Sequence, residues 1–114
     1  MRIANQTQGT ELAGEARLAR SIWSRSIGLL GRSSLRRGEA LIIDPCSSVH
    51  TAFMRFAIDV IYVDRDHRVL KVVPRLRPFR ASAARRGCRA TIELPAGTID
   101  ATGTVPGDQL LLVS

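Results

Sequence analysis

The stretch that decides the fold is Ser47–Asp66, SSVHTAFMRFAIDVIYVDRD. Its second half contains the longest apolar run of the chain, Ile58 to Val63, and Asp59 is the only charged side chain inside that run. A run of this length that is rich in β-branched residues and ends at an acidic turn predicts a central β-strand. A carboxylate inside such a strand needs a hydrogen-bonding or cationic partner, because burying a lone carboxylate is costly.

The segments around this strand also predict β-structure. Asp64–His67 favours a tight turn into a returning strand, Arg68–Leu76, so the two strands form a hairpin. A regular strand there places Leu70, Val72 and Leu76 on one face and Lys71 and Arg75 on the other. The alternation of apolar and polar residues from Cys88 to Leu94 predicts a half-buried strand. Weaker strand patterns lie at Arg2–Asn5 (an edge strand), Glu11–Leu18, Ala40–Asp44 and Gln109–Val113.

Two short helical segments interrupt the strands. Apolar residues follow Ser21 at helical spacings until Gly31, so a helix is predicted there. Pro95 opens a second helical turn over Ala96–Thr102. Pro78–Gly87 has no hydrophobic period and is predicted to be a mobile loop. Together these elements predict a domain that is mainly β with one or two short helices, either a compact barrel-like or a sandwich β-domain.

The size of the chain allows one core. The 114 residues suffice for a single domain, 1–114, but not for two. No apolar run approaches the roughly 18 residues of a membrane span. The amino-terminal segment MRIANQTQGTE lacks the apolar stretch of an export signal. The cytoplasm is therefore the expected location.

The net charge of +7 and the pI near 11.2 suggest nucleic acid as a partner. Local groups of arginines would neutralise phosphates and give salt-sensitive binding. The sequence contains no signature of a nucleic-acid-binding fold, and we expect no aromatic side chain among the arginines for stacking on bases. It therefore disfavours nucleic-acid binding.

The chain has two cysteines and two histidines, which form the Cys2His2 set Cys46, His50, His67 and Cys88. Structural zinc ligands usually come as close pairs, and here only Cys46 and His50 are close in sequence. The strand between His50 and His67 alone spans roughly 20 Å, too far for two ligands of one ion. We therefore expect no metal ion, and we identify no cofactor motif.

Five short blocks occur together, in the order GLLGR (Gly28–Arg32), HTAFMRFAIDVIYVD (His50–Asp64), LRP (Leu76–Pro78), ELPAG (Glu93–Gly97) and GDQL (Gly107–Leu110). Over about Leu12–Leu112 the chain resembles the DUF192 family, also called UPF0127, of small uncharacterised proteins. The resemblance implies a small β-rich fold with a short helix packed on it. It implies no activity.

A candidate ligand site is built from these blocks. His50 titrates near neutrality and suits a ligand group or a general acid or base, although a histidine bonded to nearby backbone is the alternative. The turn before the second helical segment offers amides for an anion or a sugar hydroxyl. The predicted ligand-binding residues are His50, Thr51, Met54, Arg55, Arg77, Pro95, Ala96 and Gly97.

Three further polar residues are predicted to be structural. Asp59 and Arg77 are expected to pair with each other as a buried couple. Glu93 is expected to be a solvated carboxylate on the polar side of its strand, and Asp108 belongs to a turn before the last strand.

The favoured function is a binding module for a small polar or anionic ligand, through a cleft near His50. The alternatives are a structural or protein-interaction module that docks through its basic face and, less favoured, a nucleic-acid-binding protein. No nucleophile and base occur together, so the sequence leans away from an enzyme without deciding the question, and no catalytic residue is assigned. The ligand, the partner and the oligomeric state stay open.

Overall fold

The computed structural model describes residues 1–19, 35–45, 47–51, 55–84 and 86–114, with the backbone alone at His50. The strands found there are β1 Arg2–Asn5, β2 Thr10–Ala13, β3 Glu15–Ala19, β4 Glu39–Ile43, β5 Ser48–His50, β6 Ile58–Val63, β7 Val69–Leu76, β8 Ala81–Ala83, β9 Ala90–Pro95 and β10 Leu110–Val113. A short helix, α1, spans Thr98–Thr102. The predicted mainly β fold and the second helical segment are confirmed. The predicted helix from Ser21 to Gly31 lies outside the described residues.

The strands form three sheets, with the orders β10-β1-β2, β3-β4-β9-β6-β7 and β5-β8. In the five-stranded sheet β3 and β4 run parallel, while β9 is antiparallel to both of its neighbours. The three-stranded sheet packs on one face of the five-stranded sheet through a shared apolar core. The architecture is therefore sandwich-like, and the described strands do not close into a barrel.

The central strands β4, β9 and β6 of the five-stranded sheet are buried on both faces. The inner core lies between the two larger sheets and includes Ile3, Ile42, Ile61, Ile92 and Leu110. The outer core covers the opposite face of the five-stranded sheet and includes Leu35, Leu41, Val49, Val60 and Tyr62. Five of the six residues of β9 are buried as a result, so its predicted half-buried character is wrong.

A β-bulge separates the two ends of β7. Ile58 of β6 faces Leu76, but Val60, two residues later, faces Val73, three residues before Leu76. The extra residue in β7 shifts the alternation of its side chains by one position. Leu76 consequently joins the outer core, whereas Val72 packs against the inner core. The predicted shared face of these two residues is wrong.

Three other predicted segments differ in detail. β1 is the middle strand of its sheet and not an edge strand. The segment Glu11–Leu18 divides at Gly14 into β2 and β3, which belong to different sheets. The predicted loop Pro78–Gly87 contains β8, which pairs with β5. No helix in the described part of the chain is long and apolar enough to cross a membrane.

Asp108 fastens the two ends of the chain together. Its buried carboxylate accepts hydrogen bonds from Asn5 Nδ2, Gln8 Nε2 and the Val105 amide, each at 3.0 Å. Burial alone would raise the pKa of Asp108, but the bonds from Asn5, Val105 and Gln8 hold it below its ordinary value. The ionised carboxylate therefore joins the β1–β2 turn to the segment that precedes β10.

Candidate functional site

Asp59 is the most heavily bonded buried side chain near the predicted site. Its Oδ1 accepts the Arg75 amide at 2.8 Å. Its Oδ2 accepts the amides of Gly97 at 3.2 Å and Ile99 at 2.8 Å. The side chain is 0% exposed. The expected pair of Asp59 with Arg77 is wrong, because both carboxylate oxygens bond to backbone amides.

The local backbone explains why a carboxylate stands in this apolar strand. The bulge in β7 withdraws the Arg75 amide from the ladder. The start of α1 leaves its first amides without partners in the helix. Gly97, the N-cap residue of α1, has no side chain to accept them. Asp59, on the strand β6 next to β9, supplies the missing acceptor. In many helices a side chain at the N-cap has this role.

This arrangement changes the predicted anion site at Pro95–Gly97. The Gly97 amide, which was expected to be free for a ligand, is already bonded to a carboxylate of the chain itself, as is the amide of Ile99 in α1. The cation beside the turn is Arg75, whose Nη1 donates to Asp100 Oδ2 at 2.7 Å. That hydrogen bond and the charge of Asp100 raise the pKa of the exposed Arg75 guanidinium.

Gly97 carries a backbone requirement that can be tested alone. Its φ is +98°, and a Cβ there would meet Arg75 Nη2 at 3.9 Å, an ordinary contact. Gly97→Ala is therefore expected to lower the free energy of unfolding by about 1–2 kcal/mol through backbone strain and not through a clash. The control is Gly14→Ala, since Gly14 has no positive φ and no atom near its Cβ position. Equal denaturation midpoints for the two variants would contradict this explanation.

A groove of about 350 Å³ lies beside the same turn. Residues from three parts of the fold line it, including Thr10 of β2, Arg37 before β4, the turn Pro95–Gly97, and Thr98 and Ala101 of α1. Thr10 Oγ1 donates to the Thr102 carbonyl at 2.9 Å, and Thr98 Oγ1 donates to the Pro95 carbonyl at 2.8 Å. Both hydroxyl oxygens can still accept a hydrogen bond from a ligand.

Arg37 is the positive charge of this groove. Its side chain is exposed and makes no ion pair within the described ranges, which hold all ten acidic residues of the chain. Its neighbour Arg36 is engaged with Glu39 at 3.4 Å, and Glu11 at the groove pairs with Arg2 at 2.9 Å. Arg37 is therefore available to an anionic group.

Thr51 and Arg77, two other predicted residues, meet at a different turn. Thr51 Oγ1 donates to the carbonyls of Arg77 and Arg80 and accepts the Arg80 amide at 2.9 Å. The side chain of Arg77 is exposed, as is that of Arg55. Met54 and the side chain of His50 lie outside the described residues. No hydrogen bond or ion pair of the described residues links this turn to Pro95–Gly97, so a single cleft that joins them stays a prediction.

Glu93 is the polar residue whose environment is predicted least well from the sequence. It lies in β9 between Leu41 of β4 and Val60 of β6, faces the outer core, and is 8% exposed. Burial raises the pKa of its carboxyl to about 7. The expected solvated carboxylate is wrong, because side chains from distant segments cover the face that alternation marks as polar. No three His, Cys, Asp or Glu side chains in the described ranges are grouped to hold a metal ion.

The model of the DUF192 family, described as an uncharacterized ACR, matches residues 3–112. The chain belongs to the DUF192 family. A UPF0127 protein of Pyrococcus furiosus is 33% identical over 113 residues, which cover 95% of each chain.

Two crystal structures share the fold of this DUF192 chain. A Novosphingobium aromaticivorans protein of unknown function superposes with a TM-score of 0.81 at 21% identity, over 97% of this chain and 82% of its own. A Sinorhizobium meliloti protein superposes with a TM-score of 0.83 at 20% identity, over 96% of this chain and 89% of its own. At these identities the likeness concerns the fold alone, so any function has to be argued from the residues of this chain.

Proposed function

We propose that this DUF192 domain is a binding module for a small anionic or hydroxyl-rich molecule, held in the groove between β2, α1 and Arg37. The observation that supports the proposal most is the groove itself, because its volume of about 350 Å³ lies within the range of small-molecule sites. The residues that line it include an arginine without an ion pair, threonines and apolar residues, and small-molecule sites likewise combine apolar side chains with a few polar groups.

The charged part of the ligand has one suitable partner in this groove. The amides of Gly97 and Ile99 are committed to Asp59. Arg37 can bind a carboxylate or a phosphate with two parallel hydrogen bonds. Thr10 and Thr98 can accept from ligand hydroxyls, while Ala101 offers an apolar surface. The proposal keeps Pro95, Ala96 and Gly97 from the predicted set and does not depend on His50 or Met54.

Thermal denaturation in the presence of sugars, sugar phosphates and small organic acids tests this proposal. A ligand present at about 100 times its Kd should stabilise the domain by about 2.7 kcal/mol. Arg37→Ala should remove the shift given by an anionic ligand. Arg65→Ala is the matched control, because Arg65 is also exposed. Arg65 follows the end of β6, whereas the groove residue Pro95 pairs with Ile58 at the start of β6.

Two outcomes would contradict the proposal. The first is the absence of any shift across the whole set of compounds. The second is a ligand whose shift survives in Arg37→Ala or falls equally in Arg37→Ala and Arg65→Ala, because the anion would then bind somewhere other than the groove.

A further inference from the structure

Phe79 is an aromatic side chain presented to solvent on a tight turn. Its side chain is 66% exposed, and its φ is +60°. Arg77 and Arg80, on either side of it, are both exposed. The expectation that no aromatic accompanies the arginines is therefore wrong, because Phe79 stands between two of them.

Thr51 holds this turn in place. Its backbone pairs with two consecutive residues of the turn, since its amide donates to the Arg80 carbonyl at 2.8 Å and its carbonyl accepts the Phe79 amide at 3.0 Å. Its hydroxyl bonds to the backbone of Arg77 and of Arg80. A non-glycine residue keeps a positive φ only where its surroundings enforce it. The backbone that carries the ring is thus fixed, which lowers the entropy lost on binding.

The turn lies in a strongly basic part of the chain. From His67 to Ile92 there are eight arginines and lysines and no acidic residue. Two of these arginines are neutralised, Arg75 by Asp100 and Arg89 by Asp44. Arg77 and Arg80 pair with no carboxylate, although all ten acidic residues of the chain are among the described ones. Their charges are free to bind an anionic partner.

The surroundings of the ring decide which anionic partner fits. A protein-binding hot spot normally sits at the centre of a packed apolar patch. The residues that flank Phe79 in the chain are instead Pro78, the exposed Arg77 and Arg80, and the small Ala81. The other exposed large apolar residues of the described chain lie elsewhere, at Met1, Val105, Leu111 and Val113. A single ring between cations suits an unpaired base and its phosphates, since stacking needs only one face of the ring.

We infer that the Arg77–Arg80 turn binds single-stranded nucleic acid, with Phe79 stacked on a base and the guanidinium groups of Arg77 and Arg80 on neighbouring phosphates. Stacking is tolerant of base identity, so the site selects single strands over duplexes and not one sequence over another. The residues differ from those of the proposed small-molecule groove, so the two proposals stand or fall separately.

Fluorescence anisotropy with labelled short oligothymidylate and oligouridylate tests this inference on the whole chain. Phe79→Ala should weaken binding by about tenfold, and Phe79→Tyr should restore it, since a base stacks on either ring. Leu111→Ala is the control for loss of an exposed apolar side chain. Arg77→Ala together with Arg80→Ala should reduce the slope of log K against log salt by about 1.4 between about 50 and 200 mM salt. Thermal denaturation checks that each variant is folded.

Several outcomes would overturn the inference. They are the absence of binding at low salt, equal affinities for Phe79→Ala and Leu111→Ala, and a duplex that binds as tightly as the single strand. A fourth is a polyglutamate peptide that displaces the oligonucleotide at equal charge concentration and shows the same dependence on Phe79, since the turn would then recognise acidic polypeptides.

Discussion

Glu93→Gln is expected to stabilise the fold by about 3 kcal/mol at neutral and higher pH. The carboxyl of Glu93 lies between Leu41 and Val60, and burial raises its pKa from an ordinary 4.5 to about 7. Each pKa unit corresponds to about 1.4 kcal/mol of difference between the folded and unfolded states. Glutamine has nearly the same shape and carries no charge, so the variant avoids the cost of ionising a buried group.

The effect has a definite sign and a definite pH window. Below pH 4.5 the carboxyl is protonated in both states, so wild type and variant should be equally stable. Between pH 4.5 and about 7 the folded state keeps a proton that the unfolded state has lost, and wild-type stability falls as pH rises. Above that window both states are ionised and the difference should be constant.

Denaturant unfolding of both proteins from about pH 4 to about pH 8 measures this difference. Glu15→Gln is the control, because Glu15 is exposed on β3 and its substitution should leave the pH dependence of stability unchanged. A gain that is the same at every pH would show that packing and not ionisation causes it. If Glu93→Gln were less stable than wild type at the upper end of this pH range, the ionised form of Glu93 would have to be held by favourable contacts.

The burial of Glu93 shows what alternation in a single sequence can and cannot reveal. The pattern around Ile92 correctly predicts a strand and the face that meets the inner core. It cannot reveal that a second layer covers the other face, because that layer includes Leu35 and Val49, which are remote in sequence from β9. Two-sided burial arises from packing between distant segments, and local periodicity does not record such packing.

The candidate site shows the same division between local and distant information. ELPAG predicts the turn at Pro95–Gly97 and the short helix after it, and both are found. Arg37 and Thr10 reach the groove only through the fold. A local signal was missed at Pro74, since a proline inside a strand indicates an edge strand or a bulge. β7 is an edge strand of the five-stranded sheet and has its bulge at this place.

Asp59→Ala is expected to destabilise the fold by about 3–5 kcal/mol. The substitution removes the acceptor for the amides of Arg75, Gly97 and Ile99 in one step. Water cannot readily replace it, since the side chain is fully buried, and unpaired buried donors are costly. The bulge of β7 and the start of α1 would lose their common support together.

Denaturant midpoints of three further variants separate this explanation from simple loss of a charge. Asp59→Asn keeps the volume but turns an NH2 group toward backbone donors, so it should also be clearly destabilised. Asp100→Ala removes an exposed carboxylate bonded to the same Arg75 and should change the midpoint little. His50→Ala should cost less than Asp59→Ala. Equal midpoints for Asp59→Ala and Asp100→Ala would mean that the three amides find other acceptors, and Asp59 would then not be what fixes the start of α1 against β7.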